Sequence, residues 1–482
     1  MLIGLLITVP LLFSLLLFAM KNQPVLNKKI ALTASLLTFV ISVFVLLKYL
    51  TDPAGYPAFH SDFFHSIGIE FTLGMDGLSI LLVLLTTFLS PLIIYAGFGG
   101  TDRRNTFYAL ILLMEMALIG VFTTTDVLMF YIFWELALIP IFFVSILWGG
   151  ENARAITFKF FLYTLVGGLL MLVAIVFLYV KTPGDHSFAF ADLYKVALDP
   201  SAQKWLFLAF FVAFAIKMPI FPFHTWQPDL YFTAPTQGTM LLAGIMLKMG
   251  VYGLLRFVLP IFPVAMHDFG IYAIALSVIG IVYASIIAIR QKELKRLIAY
   301  SSLAHVGLIA AGVFSLTHYG LEGAMVQMIS HGVNIVGLFF CYEIIVRRTK
   351  TGEIASLGGI ASKAPVFAAF FMIILLGSIS LPLTNSFIGE FLLLLGVFEY
   401  NAYLAGIAGL TIILSAVYML WMYQRTMYGE EKEATAEFTD LTPRETFVLV
   451  TIVVIILWIG IYPQMFLGIA EPAVKSILEV YK

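Results

Sequence analysis

Cysteine is all but missing from this chain: Cys341 is the only one in 482 residues, and it lies in the apolar stretch GLFFCYEII. A single thiol excludes an internal disulfide, and also an iron–sulfur centre, which takes about four thiolates. Charge is scarce as well, at 11% of residues with a formal net charge of −1. Nothing in that balance points to nucleic acid or to overall attraction for an anionic surface. Long polar segments are also few. The only extended loops are 51–73, 182–203 and 428–445, so no separate soluble domain is available to carry an activity.

Apolar residues take the place of what is missing. They make up 61% of the sequence, and the mean hydropathy is +1.01, values that a water-soluble domain of this length could not sustain on its surface. Runs of roughly 18–25 apolar residues mark transmembrane helices. They fall near 2–19, 29–50, 74–97, 106–123, 125–149, 156–181, 204–225, 236–260, 266–289, 298–316, 320–346, 365–399, 402–427 and 446–469. The expected fold is an all-α polytopic membrane protein of about fourteen helices.

The first apolar run has no positive charge ahead of it, whereas Lys21, Lys28 and Lys29 follow. That is the reverse of a secretory signal, so the run is expected to stay as a membrane helix with its N-terminus outside. Alternating the loops from that start puts eighteen Lys and Arg inside and seven outside, with Lys217 and Lys248 left within the membrane. The positive-inside asymmetry predicts both termini outside. The acidic loop 428–445, which carries Glu430, Glu431, Glu433, Glu437 and Asp440, is then inside and reads as a solvated turn.

Two segments are interrupted in the same way. KMPIFPFHTWQPD contains Pro219 and Pro222, and GSISLPLTNSFIGE contains Pro382. Proline removes a backbone donor and breaks the helix ladder, which is tolerated at membrane depth only where protein or a watery cavity covers the freed groups. Each interruption falls in the fourth helix of a five-helix unit. The chain therefore divides into an N-terminal three-helix region (1–105), a first repeat (106–260), a second repeat (261–428) and an acidic loop with a C-terminal helix (429–482). An odd number of spans per unit makes the second repeat inverted, and paired broken helices in inverted repeats point to transport sites near the midplane.

Four charged residues sit deep in apolar spans: Glu135 in FYIFWELALIPIFF, Lys217 in FVAFAIKMPIFPF, Lys248 in LLAGIMLKMGVYG and Glu390 in NSFIGEFLLLLG. A charge near the bilayer centre costs about 2.5–3.5 kcal/mol even on lenient scales. Carboxylates and amines together suit proton handling, with Glu135 the expected partner of Lys217 and Lys248 a lateral relay. A structural ion pair, a snorkelling lysine and a packing carboxylate are the plainer readings of these positions. His305 and His331 are mid-span histidines able to pass protons near neutral pH; each could equally be a hydrogen-bonded packing residue, or the two could ligate a b-type haem. Glu115 in LLMEMALIG reads as a peripheral relay or a structural carboxylate, and Asp76 in GMDGLS as a helix cap. No metal-ligand cluster or flavin motif is present.

The stretches LGMDGLSILLVLLTTFLSP, FYIFWELALIPIFF, AFAIKMPIFPFHTWQPD, APTQGTMLLAGIMLKMGVYGLLRF and QKELKRLIAYSSLAHVGLIAAG resemble the antiporter-like subunits of respiratory complex I, the proton-translocating NADH:quinone oxidoreductase. The resemblance covers nearly the whole chain and implies the same broken-helix fold. It also implies proton translocation through Glu135 paired with Lys217, Lys248 as bridge, and His305 and Glu390 in the second half, with His331 and Glu115 as secondary relays. Glutamate at position 390 resembles the subunit M branch, since other branches have lysine at the second broken helix. The short segment after the last span likewise resembles that branch rather than the one with a long lateral helix.

The family implies no cofactor on this chain. FMN, iron–sulfur clusters and quinone belong to partner subunits of the complex, next to neighbouring antiporter-like subunits, in a bacterial inner membrane. A multisubunit cation/proton antiporter or a membrane-bound hydrogenase is the alternative assembly. WQPDLYFTAPT departs from the family in having Tyr231 and Thr233 where histidine and an acidic residue are common, which argues against a proton-uptake role for that mouth.

Overall fold

In the computed structural model, residues 2–52, 59–64, 69–97, 103–184 and 186–482 are described, with backbone only for residues 60–64, 69 and 70. Residues 53–58 and 65–68 of the expected 51–73 loop therefore lie outside the described residues. The chain is a helical membrane protein. Its helices of more than one turn are α1 (Leu2–Ala19), α2 (Pro24–Thr51), α3 (Gly77–Ala96), α4 (Arg104–Thr123), α5 (Val127–Trp148), α6 (Ala153–Lys181) and α7 (Pro200–Lys217). They continue as α8 (Gln227–Thr233), α9 (Thr236–Ile261), α10 (Pro263–Arg290), α11 (Leu294–Phe314) and α12 (His318–Thr349). The remainder are α13 (Pro365–Ser378), α14 (Asn385–Tyr400), α15 (Ala402–Met427), α16 (Pro443–Ile461) and α17 (Gln464–Glu479).

Among the described residues, twelve helices are long and apolar enough to cross a membrane. The expected spans 204–225 and 365–399 are the two that fall outside that number, because each is broken. The expected span 446–469 also stops short. Pro463 ends α16 at Ile461, and residues 464–479 form a separate helix. A two-stranded antiparallel hairpin, β1 (Phe59–Phe64) with β2 (Ile69–Leu73), stands where only a loop was expected.

Short polar caps start several of the helices. Asp126 accepts from the backbone N–H of Leu128 (2.8 Å) and Met129 (2.9 Å), and Glu293 accepts from Lys295 (2.6 Å) and Arg296 (3.2 Å). Each satisfies donors that a helix start leaves open. Asp76 caps α3 through Ser79 N–H (3.0 Å), as expected, and is also paired with Arg256 at 2.7 Å.

Burial sorts the helices into an inner and an outer set. In α3, α4, α9, α11 and α12, 89% or more of the most apolar stretch is buried, against 33% to 39% in α1, α6 and α15. The outer helices expose aliphatic side chains such as Val166, Val173 and Ile413, which suits contact with lipid tails. Lys248, His305 and His331 lie on the inner set, while Lys217 and Glu390 are buried on α7 and α14 beside it.

The two breaks share a backbone design. After α7, Met218 N–H bonds Phe214 C=O (2.9 Å) and Ile220 N–H reaches back five residues to Ala215 C=O (2.9 Å). After α13, Ile379 N–H bonds Leu375 C=O (3.0 Å) and Leu381 N–H reaches back five residues to Leu376 C=O (3.0 Å). This matching places Lys217 and Ser378 in equivalent last-turn positions.

The polar segments between helices are tied into the fold. Lys295, one of the inside cations, is 4% exposed and donates to the carbonyls of Ala234 (2.6 Å) and Phe232 (3.1 Å). The acidic loop is not a plain solvated turn, because Asp440 accepts from Val366 and Phe367 N–H (3.0 and 2.9 Å) at the start of α13. Glu431 pairs with Lys363 (3.1 Å), and Glu445, at the end of the loop, pairs with Arg348 (2.7 Å).

Candidate functional site

The first buried group lies where α5 is interrupted. Pro140 has no N–H to offer Leu136 C=O and crowds it, and α5 is correspondingly divided into Val127–Leu136 and Leu138–Trp148. Glu135 sits on the last turn before that division. Its carboxylate is accommodated by α6 at Gly168, where an added Cβ would lie only 1.9 Å from Oε1.

Lys217 ends α7 and is 1% exposed, with Nζ 4.7 Å from the centre of the Trp134 ring. A desolvated cation–π contact of this kind contributes about 2 kcal/mol. Glu135 and Lys217 interact electrostatically, yet among the described residues neither Glu135 Oε1 nor Lys217 Nζ has a hydrogen-bond partner. The expected pair is thus open, with the ammonium resting on tryptophan.

Gly250 joins this group to the next. An added Cβ there would lie 2.9 Å from both Phe214 C=O and Met218 Cβ, so only glycine lets the Lys248 helix approach the end of α7 this closely. Two π-helical turns, Leu242–Met246 and Leu254–Val258, flank the intervening segment of α9. The first aims Ala243 C=O at Lys248 Nζ (2.7 Å). Such bulges inside α-helices are frequent at functional sites.

Lys248 is 2% exposed, which rules out snorkelling to the surface. Its second partner is His331 Nδ1 at 2.9 Å, not His305. The contact depends on a close crossing of α9 and α12 at Gly244 and Gly332, where a Cβ on Gly332 would lie 2.8 Å from Gly244 C=O. His331 Nε2 in turn meets Ser302 Oγ at 3.0 Å. When Lys248 donates, Nδ1 accepts, and the ring proton is fixed on Nε2 facing the serine.

The second half of the row is built on α11, α12 and α14. His305 Nδ1 contacts Glu390 Oε1 at 2.6 Å, and Gln327 Nε2 donates to the same oxygen at 3.1 Å. The His305 and His331 rings are 6.3 Å apart. A small cavity lined by both rings, Ser301, Gln327, Asn334 and Ser386 provides about 10 Å³, close to the ~10–15 Å³ needed for one water. His305 Nε2 and Gln327 Oε1, on residues lining the cavity, and Ser330 Oγ and Glu390 Oε2, on α12 and α14, are buried without hydrogen-bond partners among the described residues.

Asn334 donates to Asn385 Oδ1 (3.0 Å) and Ser386 Oγ (2.9 Å) at the first turn after the second break, and Tyr418 donates to Ser301 Oγ (3.1 Å). Lys248, His331, His305 and Glu390 thereby form one buried polar row. Sequence reading had put His331 second to His305 and had not singled out Ser302, Gln327, Asn334 or Tyr418. Gln327, Ser330, His331 and Asn334 recur on one helical face, which was the available signal.

Glu115 stands apart from this row. It is fully buried on α4, where it accepts from Ser35 Oγ (3.1 Å). Pro219 and Pro222 lie between α7 and α8, and Pro382 lies between α13 and α14. Among the described residues, no group of three or more His, Cys, Asp or Glu side chains is placed to hold a metal ion.

Comparison with known proteins gives this geometry its context. Residues 124–415 match the family described as NADH:quinone oxidoreductase/Mrp antiporter, transmembrane. NADH-quinone oxidoreductase subunit M of Rhodobacter capsulatus is 41% identical over 466 residues, covering 94% of this chain and 91% of the relative. A chain of respiratory complex I from Thermus thermophilus superposes with a TM-score of 0.91 at 32% identity, covering 100% of both chains. A chain of the Mrp complex from Dietzia sp. DQ12-45-1b superposes at 0.86 with 17% identity, covering 99% of this chain and 98% of that one, and shows the shared fold alone. The chain therefore belongs to the NADH:quinone oxidoreductase/Mrp antiporter membrane family.

Proposed function

We propose that this chain is the M subunit of a bacterial NADH:quinone oxidoreductase and moves protons through its buried Glu, Lys and His side chains. The observation that carries the reading is the continuous contact from Lys248 through His331 to Ser302, with the His305–Glu390 pair across a cavity of about one water. Such a row serves a proton better than a larger ion, since imidazole can accept at one nitrogen while releasing at the other. The subunit M relative from Rhodobacter capsulatus, 41% identical, supports the assembly. FMN, iron–sulfur clusters and quinone then reside in partner subunits, which supply the driving force, and this chain acts as a translocase without a redox centre of its own.

Loading begins at the Glu135–Lys217 group. In the open arrangement the carboxylate and ammonium are not in contact, and closing or opening them shifts proton affinity, with each pKa unit equivalent to about 1.36 kcal/mol. From Lys217 the proton passes across the Gly250 contact to Lys248, then to His331, the cavity, His305 and Glu390. Pro219, Pro222 and Pro382 interrupt the helices beside this route. Glu115, with its serine partner, is left as a peripheral group. The two five-helix units, 106–260 and 261–428, are read as inverted repeats carrying one half-channel each. Both termini face outside, the start of α2 faces the cytoplasm, and neighbouring antiporter-like subunits flank the chain.

Two experiments test this reading. Purification from native membranes followed by mass spectrometry is expected to recover flavin- and cluster-bearing subunits with this chain. Recovery of only small membrane subunits, or of a nickel enzyme, would assign it instead to an antiporter or a hydrogenase. In the assembled complex, Lys217→Arg keeps the positive charge over Trp134 but cannot release a proton. Pumping is expected to fall sharply, and retained pumping would exclude Lys217 as a carrier.

A further inference from the structure

We infer that the groove between α2 and α16 binds one phospholipid with an anionic headgroup. Two apolar cavities of about 380 and 350 Å³ adjoin here, and both are lined by Phe39 and Phe88. The floor is α3. From Leu81 to Tyr95 the groove follows that helix for about 21 Å at 1.5 Å per residue, somewhat more than the ~15 Å of one leaflet's hydrocarbon. Its rims include Leu36, Leu47 and Phe447, all exposed. Length and apolar lining suit an acyl chain.

One end of the groove selects the headgroup. Tyr95 closes it, with Lys28 Nζ 5.9 Å and the Arg444 guanidinium 5.6 Å from the ring centre. Arg104, Arg347 and Arg444 all lie near enough to repel the Lys28 ammonium. Lys28 donates to the carbonyls of Tyr95 (2.9 Å) and Gly97 (2.6 Å), leaving one of its three N–H groups for a ligand. Among the described residues, no carboxylate forms an ion pair with Lys28, Arg104 or Arg444. The chain's net charge of −1 gives no general attraction for anionic lipid, so the preference is local. A basic pocket between helices at the cytoplasmic face is the usual setting for a lipid phosphate.

The purified complex in phosphatidylcholine nanodiscs, probed with photoreactive acyl-chain phosphatidylglycerol or phosphatidylcholine at equal mole fraction, tests the site. Phosphatidylglycerol is expected to label the peptides containing Phe39 and Phe88 severalfold more than phosphatidylcholine. Arg104→Gln with Arg444→Gln is expected to remove that preference while leaving the apolar labelling. Arg444→Gln alone serves if the double variant does not assemble. Equal labelling by the two lipids would overturn the headgroup claim. No labelling of either peptide would mean that a neighbouring subunit fills the groove and would overturn the proposal.

Discussion

In the assembled complex, Lys248→Met is expected to slow proton transfer through this chain by about a hundredfold or more, the low end for a positioned proton-transfer group. Lys248 is where the two halves of the buried row meet. Its Nζ spans 2.7 Å to Ala243 C=O and 2.9 Å to His331 Nδ1, and among the described residues no other side chain bonds that nitrogen of His331. Methionine has a similar length but no proton to give. The substitution leaves a carbonyl and a ring nitrogen without a donor, a loss of about 1–3 kcal/mol. It also removes a buried ammonium whose desolvation costs several kcal/mol. These effects oppose each other, so the chain should remain in the complex, and the loss should appear in pumping rather than in assembly.

Glu390→Gln is expected to have a comparable effect in the second half. Glu390 is 1% exposed, and its Oε1 takes contacts from His305 (2.6 Å) and Gln327 (3.1 Å). Glutamine preserves the shape and one acceptor oxygen, so a merely structural role would be largely retained. It cannot exchange a proton, however, so a carrier role would be lost. Glu390→Asp separates the two explanations further. It restores an acid at shorter reach, and is expected to recover part of the pumping that glutamine abolishes. Proton flux into proteoliposomes, measured alongside NADH oxidation for the three side chains at position 390, distinguishes these cases.

Much of this site was legible in the sequence because the membrane makes buried charge conspicuous. Glu135, Lys217, Lys248 and Glu390 stand out against apolar runs, and Pro219, Pro222 and Pro382 locate the interruptions that structure α7 and α13. Pairing was less legible. Whether Lys248 meets His305 or His331 depends on how closely α9 and α12 cross, and that is set by Gly244 and Gly332, residues 88 positions apart that no local pattern links.

Other differences have similar physical causes. Nothing local in the sequence shows that the Lys295 ammonium satisfies two carbonyls at the end of α8, which lies more than sixty residues earlier in the chain. The helix count depended on whether a proline-interrupted run is taken as one span or as two pieces. The end of α16 was misjudged because the apolar run continues past Pro463 while the helix axis does not. Conversely, the caps at Asp76, Asp126 and Glu293 follow local rules, and local sequence is sufficient to find them.

On the proposed route, protons cross this chain along the Lys217, Lys248, His331, His305, Glu390 row. The most direct test is the ratio of protons pumped to NADH oxidised by the Lys248→Met complex in sealed proteoliposomes, compared with the unsubstituted complex at equal chain content. A ratio that falls by this chain's share of the protons while the complex stays assembled is the predicted result. An unchanged ratio would contradict the account.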